Sequence, residues 1–146
     1  MFNVYSIFAG WMAISFGERK EYYEGYTAPN NDVVHLSYLD FVKEELDNLF
    51  NLSNEKPQKE YTFDLEGDDL QVTTSYENNK IKIKMKYLCS DKGEYSYEFD
   101  YITFIKNYIE EMTPLEENYK KDFSYHEPDA EWNTEDWKQL LEKIKD

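Results

Sequence analysis

The chain has 146 residues, with 31 Asp and Glu against 16 Lys and Arg, giving a formal net charge of −15. That length fits one domain burying roughly 68–70% of its unfolded surface, so a core forms without disulfides or metal. The charge excludes unaided binding to nucleic acid or an anionic membrane, since phosphates attract cations and Arg19 is the sole arginine.

The hydrophobic fraction is 40% and the aromatic fraction 18%, which argues for a folded chain despite a mean hydropathy of −0.86. Residues 1–16 are apolar enough to resemble a signal sequence. They lack a basic start and a small-residue cleavage site, contain Asn3 and Ser6, and are too short to span a membrane. They read instead as a core strand pair in a soluble, cytoplasmic protein.

Short strands are expected at Val4–Phe8, Trp11–Phe16, Glu21–Gly25 and Val33–Leu36, broken at Gly10, Gly17 and Pro29-Asn30-Asn31. Ser37, with Asp40 three residues on, opens a helix to about Leu52 whose apolar face is Leu39, Val42, Leu46 and Leu49. Residues 60–99 then alternate in four runs. Their apolar sets are Tyr61, Phe63, Leu65; Leu70, Val72, Tyr76; Ile81, Ile83, Met85, Tyr87; and Tyr95, Tyr97, Phe99. Turn chemistry separates them at 66–69, 78–79 and 90–93. This is an antiparallel meander with one buried and one wet face. Its third strand carries Lys82, Lys84 and Lys86 outward, facing carboxylates on its neighbours.

Asp100 opens a helix through about Met112, with Ile102, Ile105 and Ile109 aligned. Thr113-Pro114 with Glu116 reads as an N-cap restarting a short helix. Asn133 and Asp136 cap a terminal helix striped by Trp137, Leu140, Leu141 and Ile144, with Trp132 and Trp137 at the staple positions.

The segment Ser37-Tyr38-Leu39-Asp40-Phe41-Val42-Lys43 aligns with Asp100-Tyr101-Ile102-Thr103-Phe104-Ile105-Lys106. Each closes a run of about four strands. The fold expected is therefore α+β: antiparallel sheets on a repeated four-strands-plus-helix plan, with C-terminal helices. The single domain, 1–146, divides into a first strand region and helix (1–52), a meander and helix (60–112) and C-terminal helices (113–146).

Chemistry is sparse. His35 and His126 are the two histidines and Cys89 the one cysteine, so a disulfide is impossible and a zinc site lacks ligands. Cys89 is expected to be a buried or half-buried thiol at a strand end. Its flanks, Tyr87-Leu88 and Ser90-Asp91, offer no oxyanion-stabilising turn, and the five glycines form no phosphate-cradling motif. The acids Asp64, Glu66, Asp68 and Asp69 lack the order of a calcium loop. No cofactor, metal or catalytic residue is implied.

The charge is uneven. Residues 37–79 carry −8 and residues 91–146 carry −9, while residues 80–90 between them carry +4. Within the second block Glu116, Glu117, Asp122, Glu127, Asp129 and Glu131 interleave with Tyr119, Phe123, Tyr125 and Trp132. One reading packs those rings inward beneath a solvated acidic face. The other makes the segment, together with Asp64, Glu66, Asp68 and Asp69, a surface for a basic protein partner.

The strand-to-helix junction Val34-His35-Leu36-Ser37-Tyr38-Leu39-Asp40, within this acidic layout, resembles bacterial immunity proteins of contact-dependent inhibition and related polymorphic toxin systems. The repeated plan is similar to the Whirly-like architecture of some of them. The resemblance implies no catalysis. It implies tight binding to a cognate toxin domain, a nuclease by preference, whose active site or substrate groove is blocked. A net charge of −15 speaks against the DNA binding of Whirly proteins themselves. Two other classes stay open: a nucleic-acid mimic inhibiting a basic DNA- or RNA-binding protein, and a small enzyme using Cys89, His35 or His126.

Overall fold

The structure, a computed structural model, describes residues 1–8, 11–18, 33–37, 42–50, 58–65, 68–91, 93–115, 139 and 142. Three strands, β1 (Asn3–Phe8), β2 (Trp11–Ser15) and β3 (Val34–Ser37), form an antiparallel sheet in that order. A helix, α1 (Val42–Phe50), follows. Four more strands, β4 (Gln58–Leu65), β5 (Asp68–Glu77), β6 (Lys80–Tyr87) and β7 (Glu94–Asp100), make the second sheet as an antiparallel meander. The helix α2 (Tyr101–Met112) and a 3-10 turn (Thr113–Leu115) complete the described core, and Gln139 and Glu142 are exposed helical residues near the C-terminus. The fold is α+β.

The expected plan holds with particular differences. Three strands of the first sheet are described, and the expected strand Glu21–Gly25 lies outside the described residues. So do 38–41, where the start of α1 would fall. Ser37 is the last residue of β3 just as Asp100 is the last of β7, and a helix follows each strand. Asp100 is the N-cap of α2, its carboxylate accepting the Thr103 N–H at 3.0 Å and hydroxyl at 2.8 Å. Those bonds, ahead of the charges of Lys80 and Lys106, hold its pKa below the usual aspartate value.

Thr113 corrects the expected N-cap. Its backbone is helical (φ −59, ψ −46) and its hydroxyl bonds back to the Ile109 carbonyl at 2.6 Å, so it closes α2. Thr113 also begins a 3-10 helix, Thr113–Leu115, and Glu116, the expected capping partner, lies outside the described residues. The terminal cap at Asn133 and Asp136 lies outside the described residues, as do Trp132 and Trp137.

In the meander, strict alternation decides the faces. β6 reads exposed at every lysine and buried at Ile81, Ile83, Met85 and Tyr87. Two residues suffice to turn from β5 to β6 because Asn78 and Asn79 both adopt positive φ (52 and 62), which matches the twist of the flanking strands. Glu98 sits opposite Lys82 and pairs with it at 3.8 Å, while Glu94 reaches Lys84 at 2.9 Å. Such exposed pairs add little stability, but they neutralise the lysine row locally.

One core joins both halves. Phe2 and Phe16 of the first sheet region, Phe50 of α1, and Phe104 and Tyr108 of α2 are all buried. Their rings meet edge-on or tilted: Phe50 to Phe104 at 5.1 Å, Phe2 to Tyr108 at 5.1 Å, Phe16 to Phe50 at 5.8 Å. Polar ties cross the same boundary. The Phe2 N–H donates to Asn107 at 2.8 Å, and the Tyr108 hydroxyl donates to Asp47. Thr74, buried at a position the apolar pattern skips, donates with Tyr76 to the Leu49 carbonyl, satisfying an acceptor that the end of α1 leaves open.

Buried tyrosines give this core an alkaline limit. Burial pushes Tyr76 up to about 12, against a lowering bond from Thr74. Burial, then the neighbouring Tyr76, raises Tyr101, whose hydroxyl has no hydrogen-bond partner among the described residues. Burial and then Asp47 raise Tyr108 well above the ordinary value. Unfolded tyrosines ionise near pH ~10, so there the unfolded chain releases protons that the native one keeps. Stability is full below that pH and is lost as pH rises toward about 12. Denaturant midpoints measured across pH 8 to 12, an interval of roughly two units either side of the free tyrosine pKa, are expected to fall in its upper half. A flat profile would contradict the burial of these hydroxyls.

Candidate functional site

The described acids of the first candidate group lie at one end of the second sheet, where the β4–β5 connection meets the loop after β6. Asp64 is exposed near the end of β4, and Asp69 is half-buried directly opposite it on β5. Among the described residues no lysine or arginine pairs with either. Like charges facing each other across an antiparallel pair cost about 0.2–1 kcal/mol. Among the described residues nothing offsets that cost.

Asp68 differs from its neighbour because β5 already starts there, inside the expected turn at 66–69. Strand alternation points it away from Asp69, and it is only 7% exposed. Its Oδ1 accepts the N–H of Asp69 at 2.8 Å and of Cys89 at 2.9 Å, and its Oδ2 accepts the Ser90 hydroxyl. The reading of Asp68 as a partner-binding acid is thus corrected: its carboxylate is committed to holding the loop after β6. Asp68 positions the corner; it does not present charge there.

That loop carries Leu88 and Cys89. The Leu88 N–H donates to the Asp69 carbonyl at 2.9 Å, continuing the β5–β6 ladder by one residue. The loop closes where the Tyr87 N–H reaches the carbonyl of Gly93, which has φ 98. Leu88 is 45% exposed, one of two large hydrophobics so placed among the described residues, Met1 being the other. Cys89 is exposed, which corrects the expected buried or half-buried thiol. The reason is positional: β6 ends at Tyr87, so Cys89 belongs to the loop beyond the sheet.

The outcome is a corner with two opposed carboxylates, an exposed leucine beside them, and a loop pinned by a buried aspartate. Leu88 went unflagged by sequence reasoning, although extending the β6 alternation by one step places it on the lysine side. Glu66, Glu116, Glu117, Asp122, Tyr125, Glu127, Asp129 and Glu131 lie outside the described residues. His35 is half-buried in β3 opposite Ala13, in the other sheet from Cys89. Among the described residues no three His, Cys, Asp or Glu side chains converge on a metal position, and no helix is long and apolar enough to cross a membrane. No family model matches the chain, and no curated protein or solved structure matches it either.

Proposed function

We propose that this protein is a cytoplasmic immunity protein that binds and neutralises a cognate toxin domain, a nuclease, through an acidic, aromatic-rich surface. The observation that carries this reading is the Asp64–Asp69 pair beside exposed Leu88. Opposed carboxylates with no cationic partner among the described residues weaken the sheet that bears them and leave two negative charges open to a basic partner. A nuclease cleft is basic because it holds phosphates, and a carboxylate pair beside an apolar anchor complements such a cleft. The acids and rings of 116–131 extend the proposed surface in sequence. Catalysis has no part in it.

The direct test is to read the gene immediately upstream, expected to end in a variable toxin domain, and to co-express that domain with this protein. Growth should be restored, and a one-to-one complex recovered at moderate salt. Binding several unrelated basic proteins equally well would instead favour a nucleic-acid mimic. Asp64→Asn/Asp69→Asn is expected to slow association with that toxin about tenfold at low salt, with little change at high salt. The same variant should be as stable as the parent, or more stable by up to about 1 kcal/mol. An unchanged association rate at low salt would remove this corner from the proposed surface.

A further inference from the structure

The outer edge of β7, unpaired among the described residues, has the pattern of a strand acceptor. β7 is last in the order β4-β5-β6-β7, and among the described residues no strand pairs with its far side. The ladder to β6 fixes which backbone groups face outward. Tyr101 N–H bonds to the Asn79 carbonyl and Tyr87 N–H to the Gly93 carbonyl. In an antiparallel pair hydrogen-bonded positions recur every second residue, so Tyr95, Tyr97 and Phe99 direct their N–H and C=O groups to β6. The backbone groups of Glu94, Ser96 and Glu98 therefore point away from the sheet.

Edges are usually protected by lysine, proline, a bulge or shortness. β7 has seven residues, no lysine or proline, and a register with β6 unbroken from Glu94 to Asp100. Its two faces differ. Glu94, Ser96, Glu98 and Asp100 are exposed, while Tyr95, Tyr97 and Phe99 are half-buried against the core, with the Tyr97 and Phe99 rings stacked. A second copy of this chain is a poor occupant. Antiparallel self-pairing centred on Tyr97 sets Glu94 opposite Asp100, and centring on Ser96 sets Glu94 opposite Glu98.

We infer that the β7 edge binds an extended segment of a basic protein partner by strand addition, with alternating cationic and apolar residues. Cations would flank Glu94 and Glu98 on the side away from Lys84 and Lys82, with which those carboxylates already pair. Charged rows would then alternate across the wet face, and apolar side chains would extend the row of Tyr95, Tyr97 and Phe99. This site stands whether or not the partner is a toxin.

The full-length protein can be tested with the synthetic peptide Lys-Val-Lys-Val-Lys-Val-Lys and its Glu-for-Lys counterpart. Amide exchange at Glu94, Ser96 and Glu98 should be fast in the free chain. The basic peptide should slow it about tenfold or more, leaving Tyr95, Tyr97 and Phe99 unchanged, and the acidic peptide should have no effect. Ser96→Pro removes an outward N–H without touching the β6 ladder, and should weaken the basic peptide about tenfold relative to Ser96→Ala. Three results would overturn the inference: protection at 94, 96 and 98 already present in the free chain, peptide binding without that protection, or equal protection by both peptides. The exchange pattern of the unmutated protein decides the matter even if the proline variant folds poorly.

Discussion

Asp68→Ala is expected to lower stability by about 3 kcal/mol, because it removes one carboxylate that serves three donors. Hydrogen bonds to a charged acceptor contribute about 1.5–3 kcal/mol each, and exposed Cys89 and Ser90 recover part of that loss from water. Asp68→Asn keeps an oxygen for both amides and an amide to engage Ser90, so its cost should be nearer 1 kcal/mol. Urea unfolding measures both, and amide exchange at Leu88 and Cys89 should speed up in the alanine variant. The contrast with Asp69 is the telling part. Asp69→Asn, one residue away, relieves a repulsion and should not destabilise at all. Equal losses at the two positions would mean that Asp68 does not hold the loop.

Phe104→Ala should cost about 3–5 kcal/mol, the range for deleting a fully enclosed ring that leaves a cavity. Phe104 lies at the meeting point of both halves. Its ring centre is 5.1 Å from Phe50, 5.4 Å from Phe99, 6.4 Å from Phe2 and 6.5 Å from Phe16. A chain of this size loses about 2–4 °C of Tm per kcal/mol, so a fall of roughly 10–15 °C follows. Thermal unfolding should also remain one cooperative transition, since the same ring supports both sheets. Two separate transitions, or a loss below about 1 kcal/mol, would contradict a shared core.

The meander was legible because its period of two runs unbroken. Ile81, Ile83 and Met85 against Lys82, Lys84 and Lys86 admit one register, and Asn78-Asn79 is a turn by its own chemistry. Asp100 was legible as an N-cap for the same local reason. Other features depend on where a strand ends. Asp68 and Asp69 are the same residue type side by side, and only β5 starting at Asp68 separates a buried tether from a half-buried acid. Cys89 follows a run of apolar residues, yet β6 stops at Tyr87 and leaves it in solvent. Thr113 carries every residue-level mark of an N-cap. The preceding turn of α2 captures its hydroxyl first, so the helix before it wins. Thr74 is the converse: a polar residue in a core slot, made welcome by the open carbonyl of Leu49.

The net charge of −15 is thus organised in the described residues. Glu94 and Glu98 pair with lysines of β6, while Asp64 and Asp69 face each other and pair with no lysine or arginine among the described residues. The Asp64–Asp69 couple underlies the proposed function, and association kinetics with a candidate cognate toxin domain test it most directly. The rate constant should fall steeply, by about tenfold or more, as salt rises from low to high ionic strength, while the dissociation rate changes little. A rate constant indifferent to salt, or no complex at low salt, would contradict an interface built on these carboxylates.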